Sequence, residues 1–261
     1  MNTPPAPPVR LPLSTLVSLL DETLRIREIR DASVALNGLQ IENDGYVSKV
    51  ALAVDGSQKT LDDAIEAGAD FLLLHHGLYW GGLRPLTGWW KHKVVSCLRA
   101  NLAVYAAHLP LDLHPELGNN ACMAAELGLR DIRPEVEIHG QNIGLSGFFP
   151  GSVRELKERY AAITGSAVTG YMHHGESPAG RVALCSGAAG DAIYQMQEKG
   201  YSCYLTGEEN HWVSNAARDM GISVFFAGHY ATETFGVRAL GKLLREQFGL
   251  PTVFLDNPTG M

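Results

Sequence analysis

The sequence contains few cysteines and no long apolar run. Its four cysteines, Cys97, Cys122, Cys185 and Cys203, are widely spaced and form no Cys-x-x-Cys pair. This spacing favours small buried side chains in a reducing compartment over disulfide bonds or a structural zinc site. Apolar stretches all fall short of the ~20 residues that a membrane-spanning helix requires. The first residues lack the pattern of a cleavable secretory leader, so we expect a cytoplasmic protein.

Positive charge is also scarce. The chain of 261 residues has 21 Lys and Arg against 28 Asp and Glu, which gives a formal net charge of −7. A chain of this charge has no evident electrostatic footprint for nucleic acid or for an anionic membrane surface. The hydrophobic fraction of 46% is that of a globular protein, and the length allows one large domain or two ordinary ones. A small-molecule partner is therefore expected, and nucleic acid is not.

Strands and helices alternate along most of the chain, which predicts an α/β fold with largely parallel or mixed sheets. The predicted strands cover residues 49–54, 70–74, 102–106, 142–149, 181–185, 201–205 and 222–226. The predicted helices cover residues 58–67, 89–100, 119–127, 152–163, 189–199, 211–219 and 234–248. A charged stretch at 130–136, interrupted by a proline, is predicted to be a junction between two parts of the chain.

The two parts resemble each other. Residues 54–77 and 186–208 share the order strand, glycine turn, helix, glycine, strand, which places His76 opposite Glu208. Residues 103–112 and 224–233 each contain an apolar strand, two small residues, a histidine and a carboxylate four positions later. We therefore expect two related α/β domains, residues 1–132 and 133–261, with the site in the cleft between them.

Side chains that can bind metal follow the predicted strands. In the segment Phe-Leu-Leu-Leu-His-His-Gly, His75 and His76 end a buried strand, where alternation predicts that they point to different places or different ions. Other strand exits carry a histidine or a carboxylate, and functional groups collect at such exits in open α/β sheets. They are His108 with Asp112, Glu208, and His229 with Glu233. Imidazole and carboxylate ligands suit zinc, manganese, iron or nickel, and three histidines with two carboxylates suit a pair of ions ~3.5–4 Å apart.

Several of these residues also have a structural explanation. Asp112 could close a turn through its own backbone, and Glu233 could stabilise the first turn of a helix. His108 could orient a ligand instead of binding metal directly. A second double histidine, His173-His174, has mixed flanks and is predicted to be an exposed loop pair.

A glycine-rich turn follows the strand predicted at 181–185. Residues 187–190, Gly-Ala-Ala-Gly, could hold a phosphate with their amide groups, but they lack a full phosphate-binding pattern. An ordinary turn is the favoured interpretation. Ser186 lacks the surroundings of a nucleophilic serine.

Several short motifs together resemble a known family. They are Asn37-Gly38-Leu39-Gln40, Leu74-His75-His76-Gly77, Ala107-His108 followed by Asp112 and Asn119-Asn120, Thr206-Gly207-Glu208, and Gly228-His229 followed by Glu233. In this order they resemble the dinuclear-metal-centre hexameric proteins labelled GTP cyclohydrolase 1 type 2 homologues, the Ngg-one-interacting-factor-three-like family. The resemblance covers nearly the whole chain and is closest to the short, two-domain bacterial form.

The resemblance implies a set of metal ligands. It assigns one divalent ion to His76, Asp112 and Glu233, and the other to His75, His229 and Glu233, with Glu233 bridging the two. Asp112 follows Leu109-Pro110-Leu111 here, where the family more usually has a threonine three residues before the aspartate. The resemblance also places His108 near the metals and implies a toroidal homohexamer.

The expected function is that of a metal-dependent hydrolase with a nucleotide-like substrate, similar to a GTP cyclohydrolase by resemblance. Glu208 is the candidate general acid or base, and His108 or His211 could carry protons. The alternative is a non-catalytic, ring-shaped scaffold that binds metal or a protein partner. No cluster of lysine and arginine that would bind phosphate is evident around the candidate ligands.

Overall fold

The computed structural model describes residues 9–138 and 140–260. The chain groups into two compact units. Unit 1 contains the described residues up to Pro110 together with Val237–Asn257, and unit 2 contains those of Leu111–Gly236 together with residues 258–260.

The described residues form fifteen strands and ten α-helices. The strands are β1 (Leu11–Pro12), β2 (Gly38–Ile41), β3 (Tyr46–Val47), β4 (Val50–Asp55), β5 (Phe71–His76), β6 (Ala103–Ala106), β7 (Arg130–Pro134), β8 (Glu137–Ile138), β9 (Gln141–Asn142), β10 (Leu145–Ser152), β11 (Thr169–Tyr171), β12 (Pro178–Cys185), β13 (Cys203–Thr206), β14 (Ser223–Phe226) and β15 (Thr252–Phe254). The helices are α1 (Leu13–Thr23), α2 (Gln58–Glu66), α3 (Gly88–Arg99), α4 (Leu109–Asp112), α5 (Asn119–Leu127), α6 (Val153–Thr164), α7 (Ile193–Glu198), α8 (His211–Met220), α9 (His229–Thr232) and α10 (Thr234–Phe248).

The main sheet of unit 1 has the strand order β15-β4-β5-β6-β2. The first four strands are parallel, and β2 pairs antiparallel to β6. Strands β4 and β5 are almost wholly apolar because both of their faces are covered. Helix α2, which connects them, begins after Ser57, whose hydroxyl accepts a hydrogen bond from the Thr60 amide.

Strand β5 is longer than its apolar residues indicate. The sequence-based strand ended at residue 74, but β5 continues through both histidines, and His76 pairs with Asp55 of β4. The ladder therefore continues for two polar residues, because they find hydrogen-bond partners on the neighbouring elements. His75 and His76 are the last two residues of β5, so the strand backbone fixes the positions of their Cα atoms.

The main sheet of unit 2 has the order β11-β14-β13-β12-β10-β7. Strands β12, β13 and β14 are parallel, and the remaining pairs are antiparallel. Its core is formed by apolar side chains of β12, β13, β14, α5 and α6. Helix α6 has a full capping box, in which Ser152 and Glu155 satisfy each other's backbone amides.

The α/β fold class is confirmed, with parallel and mixed sheets. The predicted internal similarity also has a counterpart within each unit, because β4-β5-β6 and β12-β13-β14 are both parallel triplets joined by helices. In the stretch predicted to be a junction, 130–136, residues form β7 and pair with β10. Helices α5 and α10 have the predicted bounds.

The compact units divide the chain at different places from the predicted domains. Unit 1 includes Val237–Asn257 because β15 pairs with β4. The domains 1–132 and 133–261 stay a prediction. In the described part of the chain, no helix combines the length and the apolar character that crossing a membrane would require.

Candidate metal centre

Three histidines of unit 1 lie together at the carboxyl ends of its central strands. One nitrogen of each of His75, His76 and His108 lies within 4.8 Å of the others, a spacing at which they could hold a metal ion. The ring centroids of His75 and His76 are 4.7 Å apart and tilted by 45°. The rings therefore lie close together although alternation directs neighbouring Cα–Cβ bonds to opposite faces, and binding of the two histidines to different ions stays a prediction.

The protein holds each of these two rings by its Nδ1 atom. His75 Nδ1 lies 2.9 Å from the Ala107 carbonyl oxygen, and His76 Nδ1 lies 2.9 Å from Asp55 Oδ1. An oxygen acceptor at Nδ1 selects the tautomer and orientation in which Nε2 faces a metal, which is the usual arrangement of histidine ligands. The two side chains are buried, with 0% and 7% of their surface exposed. They could consequently hold a cation through Nε2.

His108 is held in the same way by a different residue. Its Nδ1 lies 3.0 Å from both oxygens of Asp31, and its backbone amide donates to Asn37 Oδ1. Burial raises the pKa of Asp31, but hydrogen bonds from His108, Asn37 and the Leu109 amide, with the charge of His108, outweigh it and lower the pKa. Asp31 is therefore a carboxylate that fixes His108 beside the other two histidines.

Trp80 packs on the histidine cluster. Its ring centroid lies 4.8 Å from that of His76 and 4.4 Å from that of His108, and 39% of its surface remains exposed. The loop that carries it is tied to the sheet through Gln40, which accepts a hydrogen bond from the Leu78 amide. Trp80 thus covers one side of the cluster.

In unit 2, the structure brings together His229, Glu233 and Glu208. His229 Nε2 lies 3.0 Å from Glu233 Oε2, and His229 Nδ1 lies 2.6 Å from Glu208 Oε1. Burial lowers the pKa of His229, but hydrogen bonds and charge from Glu233 and then Glu208 outweigh it and raise the pKa to about 9. Glu233 is 3% exposed. Because a metal binds only a deprotonated imidazole nitrogen, metal binding at His229 Nε2 would require loss of the proton from that nitrogen.

Asp112 is fixed by two donors that both contact Oδ1. The Asn119 amide group donates over 2.8 Å, and the Ser186 hydroxyl donates over 3.2 Å. Asn119 Oδ1 in turn accepts from the Gly236 amide, and Asn120 accepts from the Ser186 amide. Asp112 ends the short helix α4 and is 5% exposed. These donors explain the Asn119-Asn120 pair and give Ser186 a supporting role.

Gly187 lies directly against the carboxylate of Glu233. Its φ of +66° is one that residues with a side chain rarely adopt, and an added Cβ would come closer than 3.0 Å to Glu233 Oε1 and to 3.4 Å from His229 Nε2. Its amide donates to Thr232 Oγ1, and its carbonyl accepts from the Gly207 and Glu208 amides. The glycine-rich segment is therefore a turn that makes room for Glu233.

The other double histidine differs from the first. His173 is partly exposed and His174 is exposed, and they follow β11 in a loop, as predicted. His173 Nδ1 lies 3.3 Å from the Tyr171 hydroxyl, a neutral group, where His76 and His108 have a carboxylate. The double-histidine motif alone does not mark a metal site.

The supporting roles of Asp31, Asp55 and Gly187 were not predicted from the sequence. Asp31 stands in a stretch without apolar periodicity or a metal-binding motif. Only the pairing of β4 with β5 places Asp55 beside His76, although Asp55 directly follows the strand predicted at residues 49–54. That position was the one signal that could have identified it.

Replacing Asp55 with asparagine is expected to weaken metal binding about 10- to 100-fold, because His76 loses the carboxylate that orients its ring. Competitive titration with a chromophoric chelator measures this change. Asp44→Asn, the same substitution at an exposed site of unit 1, is the matched control. Equal metal affinity in the two variants would show that Asp55 does not support a ligand.

Residues 11–259 match the family described as Duf34/NIF3 (NGG1p interacting factor 3). A protein of Deinococcus radiodurans named GTP cyclohydrolase 1 type 2 homolog is 42% identical over 249 residues, which cover 94% of this chain and 93% of that protein.

Two solved structures are similar to this chain over 96% of its length. TTHA1606 from Thermus thermophilus superposes with a TM-score of 0.84 at 37% identity, over 96% of this chain and all of that one. The protein ybgI, whose description gives its function as unknown, has a TM-score of 0.86 at 34% identity over the same shares. The resemblance inferred from the motifs is confirmed, and the chain belongs to the Duf34/NIF3 (NGG1p interacting factor 3) family.

Proposed function

We propose that this protein binds two divalent metal ions per chain through His75, His76, Asp112, His229 and Glu233, and that it is a metal-dependent hydrolase. The observation that carries the proposal is the anchoring of the three histidines in this set. Each has an oxygen acceptor at Nδ1, at distances between 2.6 and 2.9 Å, which directs Nε2 to a ligand. A donor set of imidazole and carboxylate fits zinc, manganese, iron or nickel.

Divalent ions held by such residues acidify water and stabilise negative charge that develops on a reacting oxygen. Side chains of the protein supply the groups for proton transfer. Glu208 orients His229 through Nδ1, and because about a third of its side chain is exposed it can also accept or donate a proton during hydrolysis. His108, held by Asp31, is the second candidate for proton transfer.

The substrate class follows from the relatives only as a proposal. Several are named GTP cyclohydrolase 1 type 2 homolog, so nucleotides belong in the first substrate panel, with phosphoesters and amides beside them. The alternative is a scaffold that binds metal without turnover. Both functions require the same ligands, and they differ in whether Glu208 acts on a substrate.

Metal analysis combined with a substrate screen tests the proposal. Protein purified without chelator should contain two divalent ions per chain, and the metal-loaded protein should hydrolyse at least one member of the panel. The double variant His173→Ala/His174→Ala, which removes the exposed pair, should keep both metals. Glu208→Gln should bind metal more weakly, because His229 loses the carboxylate at Nδ1, and it should lack turnover even when saturated with metal. Two bound metals without turnover across the panel would favour the scaffold, and a chain that binds no metal would contradict both.

Metal binding should change the fluorescence of Trp80, because its ring lies 4.8 Å from that of His76. Cobalt or nickel, which quench nearby indoles, should reduce the emission of the metal-free protein in a saturable titration, and zinc should quench less. The variant Trp80→Phe removes the response, whereas Trp212→Phe keeps it. A quenching signal that persists in Trp80→Phe would mean that the ions bind elsewhere.

We also propose that the chain forms the toroidal homohexamer implied by its family. The support is the resemblance alone. Light scattering coupled to size-exclusion chromatography should give a particle about six times the chain mass of 28.3 kDa. A monomer or dimer across the micromolar range would contradict it.

A further inference from the structure

Unit 2 contains a cavity of about 470 Å³ beyond the ends of β13 and β14. Its walls come from the segments that follow these strands, which include Glu208 and Tyr230, from the loop around Ala167, and from Pro258. The volume falls in the range of ~300–1,000 Å³ that is typical of small-molecule sites. Glu208 connects this cavity to the candidate metal ligand His229.

Most polar side chains in the wall are already used inside the protein. Ser166 donates its hydroxyl hydrogen to the Ala227 carbonyl, and Thr169 donates to Glu209 Oε2. The other oxygen of Glu209 accepts from Ser214. Glu208 differs, because Oε1 contacts His229 Nδ1 and about 31% of its side chain is exposed. Glu208 therefore offers Oε2 as an acceptor to a molecule in the cavity.

The charge of the wall restricts what can bind. Two carboxylates and no lysine or arginine occur among the described residues that line the cavity. An anion entering it would lose its hydration without meeting a positive partner, which is unfavourable. A cationic or neutral group with N–H donors would instead form a charge-assisted hydrogen bond with Glu208, while Phe226 and the alanines of the wall contact an apolar body.

We propose that this cavity is a binding site for a small organic molecule with an amidine, guanidine or amine group on a flat apolar body, recognised by Glu208. Phosphate and carboxylate groups are rejected. The binding itself does not depend on turnover. That the occupant is the hydrolysed molecule, or part of it, rests on the proposed function.

Three probes of nearly equal size and different charge test the proposal: benzamidinium, benzamide and benzoate. Ligand-observed NMR titrations on the full-length protein as purified should show saturable binding of benzamidinium, about tenfold weaker binding of benzamide, and none of benzoate. Ala167→Phe fills the cavity from an exposed wall position and should abolish binding. Ala162→Phe, an equal change at an exposed position of α6 outside the cavity, should not.

The variant Glu208→Gln tests recognition. It should remove the preference for benzamidinium over benzamide while both still enter the cavity. Binding of benzoate as tight as that of benzamidinium, unchanged binding by Ala167→Phe, or no binding of any probe would each overturn the proposal. Metal content and panel turnover are measured on the same samples. Absence of turnover in the wild-type protein with intact probe binding therefore counts against the hydrolase, and turnover without probe binding counts against the cavity.

Discussion

Replacing Glu233 with glutamine is expected to reduce the metal content from two ions per chain to one or none, with the affinity for any remaining ion at least about a hundredfold weaker. The two side chains have the same shape, but glutamine exchanges one carboxylate oxygen for an amide group that cannot bind a cation. Glu233 is 3% exposed and is the proposed bridge, so both ions lose a ligand. Elemental analysis after gel filtration measures the content, and any hydrolysis should disappear with the metals.

A second measurement on the metal-free variant checks the same assignment. Glu233 contributes most to raising the pKa of His229 to about 9, so Glu233→Gln should lower that pKa, as followed by NMR titration of the imidazole. Glu246→Gln, an identical change at an exposed site of α10, should alter neither metal content nor the His229 titration. Two ions retained by folded Glu233→Gln would remove Glu233 from the ligand set.

The elements that the sequence predicts well are apolar or amphipathic segments bounded by turn-forming residues. Helix α5 begins at Asn119 and ends before Gly128, whose left-handed conformation caps it, so its C-terminal bound follows from local chemistry. The parallel strands β4 and β5 follow from apolar runs between glycines, and β6 follows from an apolar run without flanking glycines. Strands β7 and β15 were missed, because an exposed charged strand and a three-residue strand have no such pattern and form only by pairing with distant partners.

The candidate ligands were predictable for a different reason. His75, His76 and His229 follow or end strands, where the topology of a parallel sheet collects side chains at one edge. Some residues that orient site side chains lie far away in sequence: Asp31 is 77 positions from His108, and Ser186 is 74 positions from Asp112. Pairings of this kind depend on three-dimensional packing. The candidate ligands could therefore be predicted from the sequence, and the distant residues that orient them could not.

Gly187→Ala is expected to lower the free energy of unfolding by about 3 kcal/mol and to weaken metal binding at the same time. A side chain at φ +66° costs ~1–2 kcal/mol, and the new methyl group also overlaps Glu233 Oε1 in a closely packed site. Relief of this overlap requires the carboxylate to move, and His229 lies 3.4 Å from the same methyl position. Urea unfolding measures the stability, and chelator competition measures the metal affinity.

Gly200→Ala separates the two contributions. Gly200 has a φ of +74° and corresponds to Gly68 in the other half of the sequence, but an added Cβ there has no atom within 4 Å. This variant should therefore lose only the backbone contribution, about 1 kcal/mol, and keep wild-type metal affinity. The difference between the two alanine variants isolates the contact with Glu233. Equal losses of stability, with metal affinity unchanged in both, would show that Gly187 serves only the turn and that Glu233 does not depend on the space it leaves.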